Sequence, residues 1–279
     1  MNPKGVGWYS SAERWFQTRH SIASYFEHHG NVDTDYYLVA CGSGWDRIAV
    51  PSFVKVVTPK QLDPDAPREL CGSFRCLILR HMMDAGHERV MAFDGDLEFL
   101  APIHDLWELL RWNNAYVTPH RIYPPPIDGR YPTIESLGLS GNYNSGICGF
   151  KHTTESRHFV NWWYEQSRDF PNIDGPQCQY AEQGWLRFIG DYLDHVAIVR
   201  DQGINYAWWR HDYEHQVIWN DRYDAFNRCT GRWEPLRVMH YSHIDFRNLE
   251  QVAYCQNRSK AGPGLLKLMT EYRQKVLGS

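Results

Sequence analysis

Several protein classes are excluded by what this sequence lacks. No apolar run in its 279 residues approaches the roughly 20 residues that a membrane-spanning helix needs. The N-terminus has no basic-then-apolar pattern, so no signal peptide is expected. The net charge of −4 lacks the basic excess of a general nucleic-acid binder, so nucleic acid is not an expected partner.

The cysteines exclude two further classes. There are seven, an odd number, and no Cys-x-x-Cys motif occurs. Both facts argue against a disulfide framework and against a zinc ribbon. We therefore expect reduced thiols that mostly fill the core of a cytoplasmic protein.

Aromatic residues, in contrast, are abundant. The chain has 12 Trp, 17 Tyr and 12 Phe, which make up 15% of its residues. Many adjoin polar or charged residues, as in Trp208-Trp209-Arg210. Aromatic rings fill cores, but their faces also stack on other rings. The excess favours a polyhydroxylated or heterocyclic ligand.

Strand and helix patterns alternate through the first 110 residues. Short apolar runs typical of buried strands cover residues 5–9, 36–41, 53–57 and 89–93. Helical patterns cover residues 11–29, 69–85 and 104–110. This alternation predicts an α/β fold with a mostly parallel central sheet flanked by helices.

The second half of the chain is less regular. Residues 119–141 hold five prolines and three glycines, which predicts a long loop that closes on the site or serves the acceptor. Beyond it we predict strands at 144–150, 195–199 and 237–241 and helices at 159–166, 182–189 and 265–277. We expect a single domain over residues 1–260, followed by an amphipathic, mildly basic helix within 261–279. That helix either packs on the domain or contacts an anionic membrane.

The sharpest chemical signal is Asp94-Gly95-Asp96, directly after the predicted strand at 89–93. Residues i and i+2 of an extended segment share a face, so the two carboxylates would lie together. Ligands of open α/β sheets bind at the carboxyl ends of the strands. Two neighbouring carboxylates repel each other unless a cation lies between them, and Mg²⁺ or Mn²⁺ suits their oxygens.

Further motifs follow this pair in a recognisable order. They are Asn144-Ser145-Gly146, Glu182-Gln183 and His240, with Phe74-Arg75 before the strand. In this order the sequence resembles glycosyltransferases of the GT-A fold, and most closely the retaining family-8 group that includes glycogenin and bacterial galactosyltransferases. The resemblance covers roughly residues 5–247. It implies a single GT-A domain, a nucleotide-sugar donor such as a UDP-sugar, and a glycan or lipid-linked acceptor.

The resemblance also implies a metal site. Asp94 and Asp96 would bind Mn²⁺ or Mg²⁺, and His240 would complete the ligand set. An imidazole ligand favours Mn²⁺. The metal would neutralise the diphosphate leaving group.

Other residues take substrate-binding and catalytic roles by the same resemblance. Gln183 would lie beneath the reacting anomeric carbon, and Glu182 would bind donor hydroxyls. The remaining substrate-binding candidates are Asn144, Ser145, Gly146, Arg75 and Tyr9.

Two motifs depart from the family. The Lys-Pro-Trp that follows the family's last His is absent, so Arg247 is the candidate phosphate-binding cation, and His243 stands where the family has Gly. The family's Asp-Gln is Glu182-Gln183 here, and one methylene moves a carboxylate appreciably. An inverting transfer with Glu182 as general base is therefore an alternative.

Three other functions stay open. A phosphatase of the haloacid-dehalogenase type also ends a strand with Asp-x-Asp, and a sugar-1-phosphate nucleotidyltransferase has a similar sheet. The third is a nucleotide-sugar or glycan-binding protein without turnover. A metal-dependent glycosyltransferase, cytoplasmic and with peripheral membrane contact as an option, is the favoured function.

Overall fold

A computed structural model describes residues 2–66, 73–129, 133–169, 181–211, 216–250 and 260–278. The strands in these ranges are β1 (Lys4–Ser11), β2 (Thr34–Cys41), β3 (Val54–Val57), β4 (Arg89–Phe93), β5 (Leu97–Phe99), β6 (Ala115–Pro119), β7 (Tyr143–Lys151), β8 (Val196–Ile198), β9 (Val217–Trp219), β10 (Tyr223–Asn227), β11 (Arg232–Pro235) and β12 (Val238–His240). The helices are α1 (Trp15–His29), α2 (Pro59–Leu62), α3 (Ser73–Asp84), α4 (His104–Trp112), α5 (Ile134–Ser140), α6 (Thr154–Asp169), α7 (Ala181–Trp185), α8 (Ile189–Tyr192) and α9 (Pro263–Leu277).

The centre of the molecule is a sheet of seven strands in the order β3-β2-β1-β4-β7-β6-β8. The pairs on either side of β1 are parallel, as is β6 with β8. Strand β7 alone among the seven runs opposite to its two neighbours. The predicted α/β fold with a mostly parallel sheet is therefore confirmed.

Helices cover both faces of this sheet. On one face, α3 and α6 bury Phe74, Ile78 and Trp163 against the strands. On the other face, α1 and α4 bury Tyr25 and Trp107. Because β1, β2 and β4 are buried on both sides, their sequences read as continuous apolar runs rather than as alternating ones.

The structure corrects several predicted elements. The segment predicted as the loop 119–141 contains α5, which Thr133 caps by accepting a hydrogen bond from the Ser136 amide at 3.2 Å. The helix predicted at 11–29 begins only at Trp15, because β1 runs on to Ser11 and Ala12–Arg14 form a 3₁₀ turn. The helix predicted at 182–189 is divided into α7 and α8 by a 3₁₀ turn. The start of the helix predicted at 69–85 lies outside the described residues.

The small antiparallel sheet β11-β10-β9 has no counterpart in the prediction. Helix α9 packs against it and against Tyr241, whose ring stacks on Tyr272 with centroids 3.5 Å apart. Lys275 of α9 also reaches Glu98 of β5 at 2.8 Å. Among the helices described, none combines the length and apolar character needed to cross a membrane.

Candidate functional site

A cleft of about 620 Å³ opens at the carboxyl ends of β1 and β4. Its volume is in the range of small-molecule sites, and this end of the strands is where open α/β sheets bind ligands. Residues from β1, α1, the β4–β5 turn, α5, β7, α7 and the segments around β12 line it. The cleft therefore collects side chains that are far apart in the sequence.

The cleft contains a cluster of Asp94, Asp96 and His240. One ligand atom of each lies within 4.8 Å of the others. The Nε2 atom of His240 is 3.1 Å from Asp96 Oδ1 and 3.6 Å from Asp94 Oδ2. Two carboxylates and an imidazole form a donor set that fits Mn²⁺, and also Mg²⁺ with its remaining positions filled by water or phosphate.

Two short strands bring these side chains together. Asp94 and Asp96 lie in the tight turn between β4 and β5, and β5 pairs with β12 so that Leu97 is opposite His240. Gly95 is necessary in this turn because a Cβ there would lie 2.2 Å from the Thr18 hydroxyl of α1.

Strand β7 completes this arrangement through a bulge. The register between β6 and β7 shifts where Val117 pairs with Cys148 but Thr118 pairs with Asn144. The bulge contains Gly146, whose carbonyl accepts a hydrogen bond from the Asp94 amide at 2.9 Å. A Cβ on Gly146 would lie 2.6 Å from the His240 ring. The glycine of the Asn-Ser-Gly motif thus makes room for the histidine.

Arg75 contacts this cluster through Asp94 and is fully buried. Its guanidinium forms ion pairs with Asp94 and Glu182, and it donates hydrogen bonds to Ser145 Oγ at 2.6 Å and to the Tyr9 hydroxyl at 2.9 Å. Burial lowers the pKa of Arg75, but Asp94 and Tyr9 more than offset this, so its pKa is raised and it stays charged. One cation therefore holds two carboxylates that would otherwise repel.

Glu182 and Gln183 open α7, and both face the cleft. The carboxylate of Glu182 accepts hydrogen bonds from Arg75 and, at 2.8 Å, from Ser145 Oγ. The amide of Gln183 accepts from Asn144 Nδ2 at 2.9 Å and donates to the Ser140 carbonyl at 2.9 Å. The motifs from β7 and α7 thus form one hydrogen-bonded group.

The electrostatics of the cluster favour a bound cation. Burial raises the pKa of Asp96, but the facing His240 ring more than offsets this, so its pKa is lower than usual. Burial lowers the pKa of His240, yet Asp96 and Asp94 reverse the direction and raise it. The same negative charges that hold a proton on His240 will attract a metal ion in its place.

Arg247 is the one predicted site residue that lies away from the other predicted site residues in the structure. Its side chain is 92% exposed and forms an ion pair with Asp245 at 3.0 Å in its own loop. Among the described residues that line the cleft, the basic chains besides histidine are Arg14 and Arg75. His243 also lines the cleft, with a left-handed backbone at φ 56°.

Sequence reasoning missed His120 and Asn205, and it named Trp209 only as part of the aromatic excess. Trp209 and His120 line the cleft, and Asn205 lies behind it in contact with His240. Burial lowers the pKa of His120 to about 3, so its imidazole is neutral. None of the three belongs to a local motif. Their positions depend on pairing between distant segments, which a single sequence does not reveal.

Comparisons of the sequence with known proteins give a distant relative but no family. No protein-family model matches the chain. A curated relative, the uncharacterised protein YfnF of Bacillus subtilis (strain 168), is 26% identical over 157 residues, which are 55% of this chain and 50% of YfnF. The match thus spans about half of the length of that relative.

Two solved structures resemble nearly the whole chain. One is the galactosyltransferase LgtC in complex with donor and acceptor sugar analogues, 11% identical with a TM-score of 0.53, covering 96% of this chain and 95% of LgtC. The other is the glycosyltransferase GlyE of Streptococcus pneumoniae TIGR4, 15% identical with a TM-score of 0.53, covering 98% of this chain and 60% of GlyE. The chain therefore has the GT-A glycosyltransferase fold.

Proposed function

We propose that this protein is a metal-dependent glycosyltransferase. It transfers a sugar from a nucleotide-diphosphate donor, a UDP-sugar, to a hydroxyl group of a glycan or lipid-linked acceptor. The observation that carries the proposal is the cluster of Asp94, Asp96 and His240 in a cleft of 620 Å³ at the carboxyl ends of the parallel strands. The fold shared with LgtC and GlyE, both named as glycosyltransferases, supports it.

In this proposal Asp94, Asp96 and His240 hold Mn²⁺ or Mg²⁺. The metal, when bound, neutralises the diphosphate that leaves as the sugar–phosphate bond breaks. Asp94 uses its Oδ1 atom for Arg75 and Tyr9, which leaves Oδ2 directed at the metal position beside His240. Arg14, a cleft-lining arginine, is better placed than Arg247 to supply a cation for the phosphates.

The neutral side of the cleft is assigned to the donor sugar. Gln183 presents an amide held at both ends, by Asn144 and by the Ser140 carbonyl, and it would lie beneath the anomeric carbon. Amide and hydroxyl groups can orient sugar hydroxyls without the cost of burying a further charge. Asn144 and Ser145 complete this wall as substrate-binding residues, and Tyr9 is proposed to bind substrate from the charged side, where it contacts Asp94 and Arg75.

We favour retention of the anomeric configuration over inversion. A general base for inversion must accept a proton from the acceptor hydroxyl. Glu182 is a poor candidate for that task, because the buried Arg75 guanidinium and Ser145 already bind its Oε1 atom and stabilise its charged form. Glu182 is more suitable as a fixed anion that holds Arg75 and orients the donor.

Two free thiols support a reducing compartment. Cys148 is buried and Cys229 is exposed, and neither forms a disulfide. Such thiols are typical of the cytoplasm, which we propose as the location. The apolar face of α9 packs against the protein, so any membrane contact for a lipid-linked acceptor would need another surface.

The test is thermal unfolding with a panel of nucleoside diphosphates, each with and without Mn²⁺. A ligand at about 100 times its dissociation constant adds roughly 2.7 kcal/mol, which raises the midpoint by about 5–10 °C. We expect this shift with UDP and Mn²⁺ together, and we expect Asp94→Asn with Asp96→Asn to abolish it. The anomeric configuration of the transfer product, read by NMR, then separates retention from inversion.

Each contrary result has a distinct meaning. Unchanged sugar transfer by the double variant would refute the metal site. A nucleotide-dependent shift without any turnover of UDP-sugars would favour a binding protein. Release of phosphate from a generic ester would favour the phosphatase alternative.

A further inference from the structure

The side chain of His240 is held by one residue that no motif predicts. Asn205 is fully buried, and its Oδ1 atom lies 2.9 Å from His240 Nδ1. Its Nδ2 atom lies 2.8 Å from Thr118 Oγ1 and 2.8 Å from Asn144 Oδ1. Asn205 thus joins the candidate metal ligand to β6 and to the Asn-Ser-Gly motif of β7.

The surrounding hydrogen bonds fix which end of the Asn205 amide faces His240. Asn144 Oδ1 accepts a hydrogen bond from the Gly146 amide at 2.9 Å, so that atom is an oxygen. Thr118 donates its hydroxyl proton to a carbonyl of β7, which leaves only its lone pairs for Asn205. Both neighbours are therefore acceptors, and Asn205 must turn its NH₂ group to them and its oxygen to the histidine.

This orientation determines the tautomer of His240. With an oxygen opposite it, Nδ1 must carry the hydrogen, so the neutral ring has its lone pair on Nε2. That is the atom that faces Asp96 and Asp94. Metal-binding histidines commonly depend on such an acceptor at the second nitrogen.

The backbone shows that Asn205 is held in place for this contact. It has a left-handed φ of 57°, a conformation that asparagine adopts more readily than most residues. The Tyr206 amide donates to the Val238 carbonyl at 3.1 Å, and the His240 amide donates to the Tyr206 carbonyl at 2.8 Å. These two bonds fasten the segment beside β12. Trp209 packs edge-on against the His240 ring with centroids 5.2 Å apart, which limits its rotation.

We propose that Asn205 is a positioning residue that fixes the His240 ring and tautomer so that Nε2 is directed at the metal position. The role rests on the proposed metal-dependent function. Asn205 belongs to the segment 199–207, which contains none of the sequence motifs of the site. Its hydrogen bonds to His240 and Asn144 also keep the cluster of Asp94, Asp96 and His240 and the Asn144–Gln183 amides in one geometry.

The test is Mn²⁺ binding, measured from the electron paramagnetic resonance signal of free Mn²⁺. Asn205→Gly allows the left-handed backbone but removes the acceptor, and we expect the dissociation constant to rise about 10- to 100-fold. Asn205→Asp keeps an oxygen acceptor for Nδ1 but lacks the NH₂ donors. We expect it to bind Mn²⁺ within about 3-fold of the wild type while unfolding at a lower temperature, because a carboxylate then faces Asn144 Oδ1.

Thr118→Val is the matched control, since it removes a hydrogen bond of Asn205 without touching the contact to His240. It should lower the unfolding midpoint and leave Mn²⁺ affinity within about 3-fold of the wild type, since the oxygen that faces Nδ1 is retained. Equal Mn²⁺ affinity of folded Asn205→Gly and the wild type would overturn the role of Asn205, and so would a loss in Asn205→Asp as large as in Asn205→Gly. Asp96→Asn separates the two proposals. If the wild type and Asp96→Asn bind Mn²⁺ alike, the metal site itself is wrong.

Discussion

The two walls of the cleft differ in charge and in how they are held. The metal wall (Asp94, Asp96 and His240) carries ionisable groups on a tight turn and a short strand. The amide wall (Asn144, Gln183 and His120) is neutral and is held by hydrogen bonds to backbone groups. The metal wall suits a ligand that carries charge, and the amide wall suits one that carries hydroxyls.

Arg75 and Glu182 lie between the two walls. Arg75 contacts Asp94 on the metal wall, and Glu182 contacts Ser145 next to Asn144 on the amide wall. The pair thus couples the walls through buried charge, whereas Asn205 couples them through neutral amides. We therefore expect changes at Arg75 and Glu182, whose charges couple the walls, to affect folding most. Changes in the amide wall should affect transfer or pH dependence.

The largest effect on stability is expected from Arg75→Met. It leaves Asp94 and Glu182 without their shared cation in a buried site, so the free energy of unfolding should fall by about 3–5 kcal/mol. Urea denaturation measures this loss. Adding Glu182→Gln to Arg75→Met removes one of the two unpaired charges and should recover part of it.

Arg80→Met is the matched control, because Arg80 lies on the same helix but is partly exposed and 3.9 Å from Asp63. It should cost about 1 kcal/mol or less. If Arg75→Met cost no more than Arg80→Met, Arg75 would not be the ionic link between the walls.

A smaller effect, on transfer alone, is expected from Gln183→Ala. Loss of one positioned contact to the transition state typically lowers a rate constant by about 100-fold or more. Stabilisation by UDP and Mn²⁺ should stay unchanged, because Gln183 does not contact Asp94, Asp96 or His240 in the described hydrogen bonds. Steady-state transfer assays and thermal unfolding, run on the same protein, measure the two quantities.

Gln274→Ala, an exposed change on α9, is the control and should leave both quantities at wild-type values. A Gln183→Ala variant that lost metal-dependent nucleotide binding would show that the two walls do not act separately.

The first half of the fold was predictable because its signals are local. Strands β1, β2 and β4 are buried on both faces, so apolar runs mark them, and α1 ends at His29, where the predicted helix 11–29 ends. Other elements depend on distant partners or on unusual composition. Strand β5 is three residues long and exists because β12 pairs with it, and α5 was missed because prolines and glycines dominate the composition around it.

The site divides in the same way. Asp94-Gly95-Asp96 could be found from its own flanks, and the roles of His240 and Gln183 were inferred only from a family resemblance. Asn205 and His120 left no signal, because a buried amide or a neutral histidine acquires its role from contacts made after folding. Arg247 was inferred from an absent family lysine, and its side chain pairs with Asp245 instead.

The smallest effect sharpens the contrast in charge between the walls. His120 on the amide wall has its pKa lowered to about 3 by burial, against an ordinary value of 6.5. Its Nδ1 atom donates to the Gly141 carbonyl, and Nε2 faces the NH₂ group of Asn144, so a proton on Nε2 would have no acceptor.

Above pH 6.5 the folded and unfolded chains both hold a neutral His120. Between pH 6.5 and 3 only the unfolded chain takes up the proton, so stability falls as the pH falls. At pH 5.5 the loss from this residue is about 1.4 kcal/mol.

Urea unfolding of the wild type and of His120→Asn at pH 7.5 and 5.5 measures this loss. Between the two pH values, the free energy of unfolding should fall by about 1.4 kcal/mol less in the variant than in the wild type. The exposed His158→Asn should match the wild type. If His120→Asn also matched it, His120 would tolerate a proton, and the amide wall would not exclude charge.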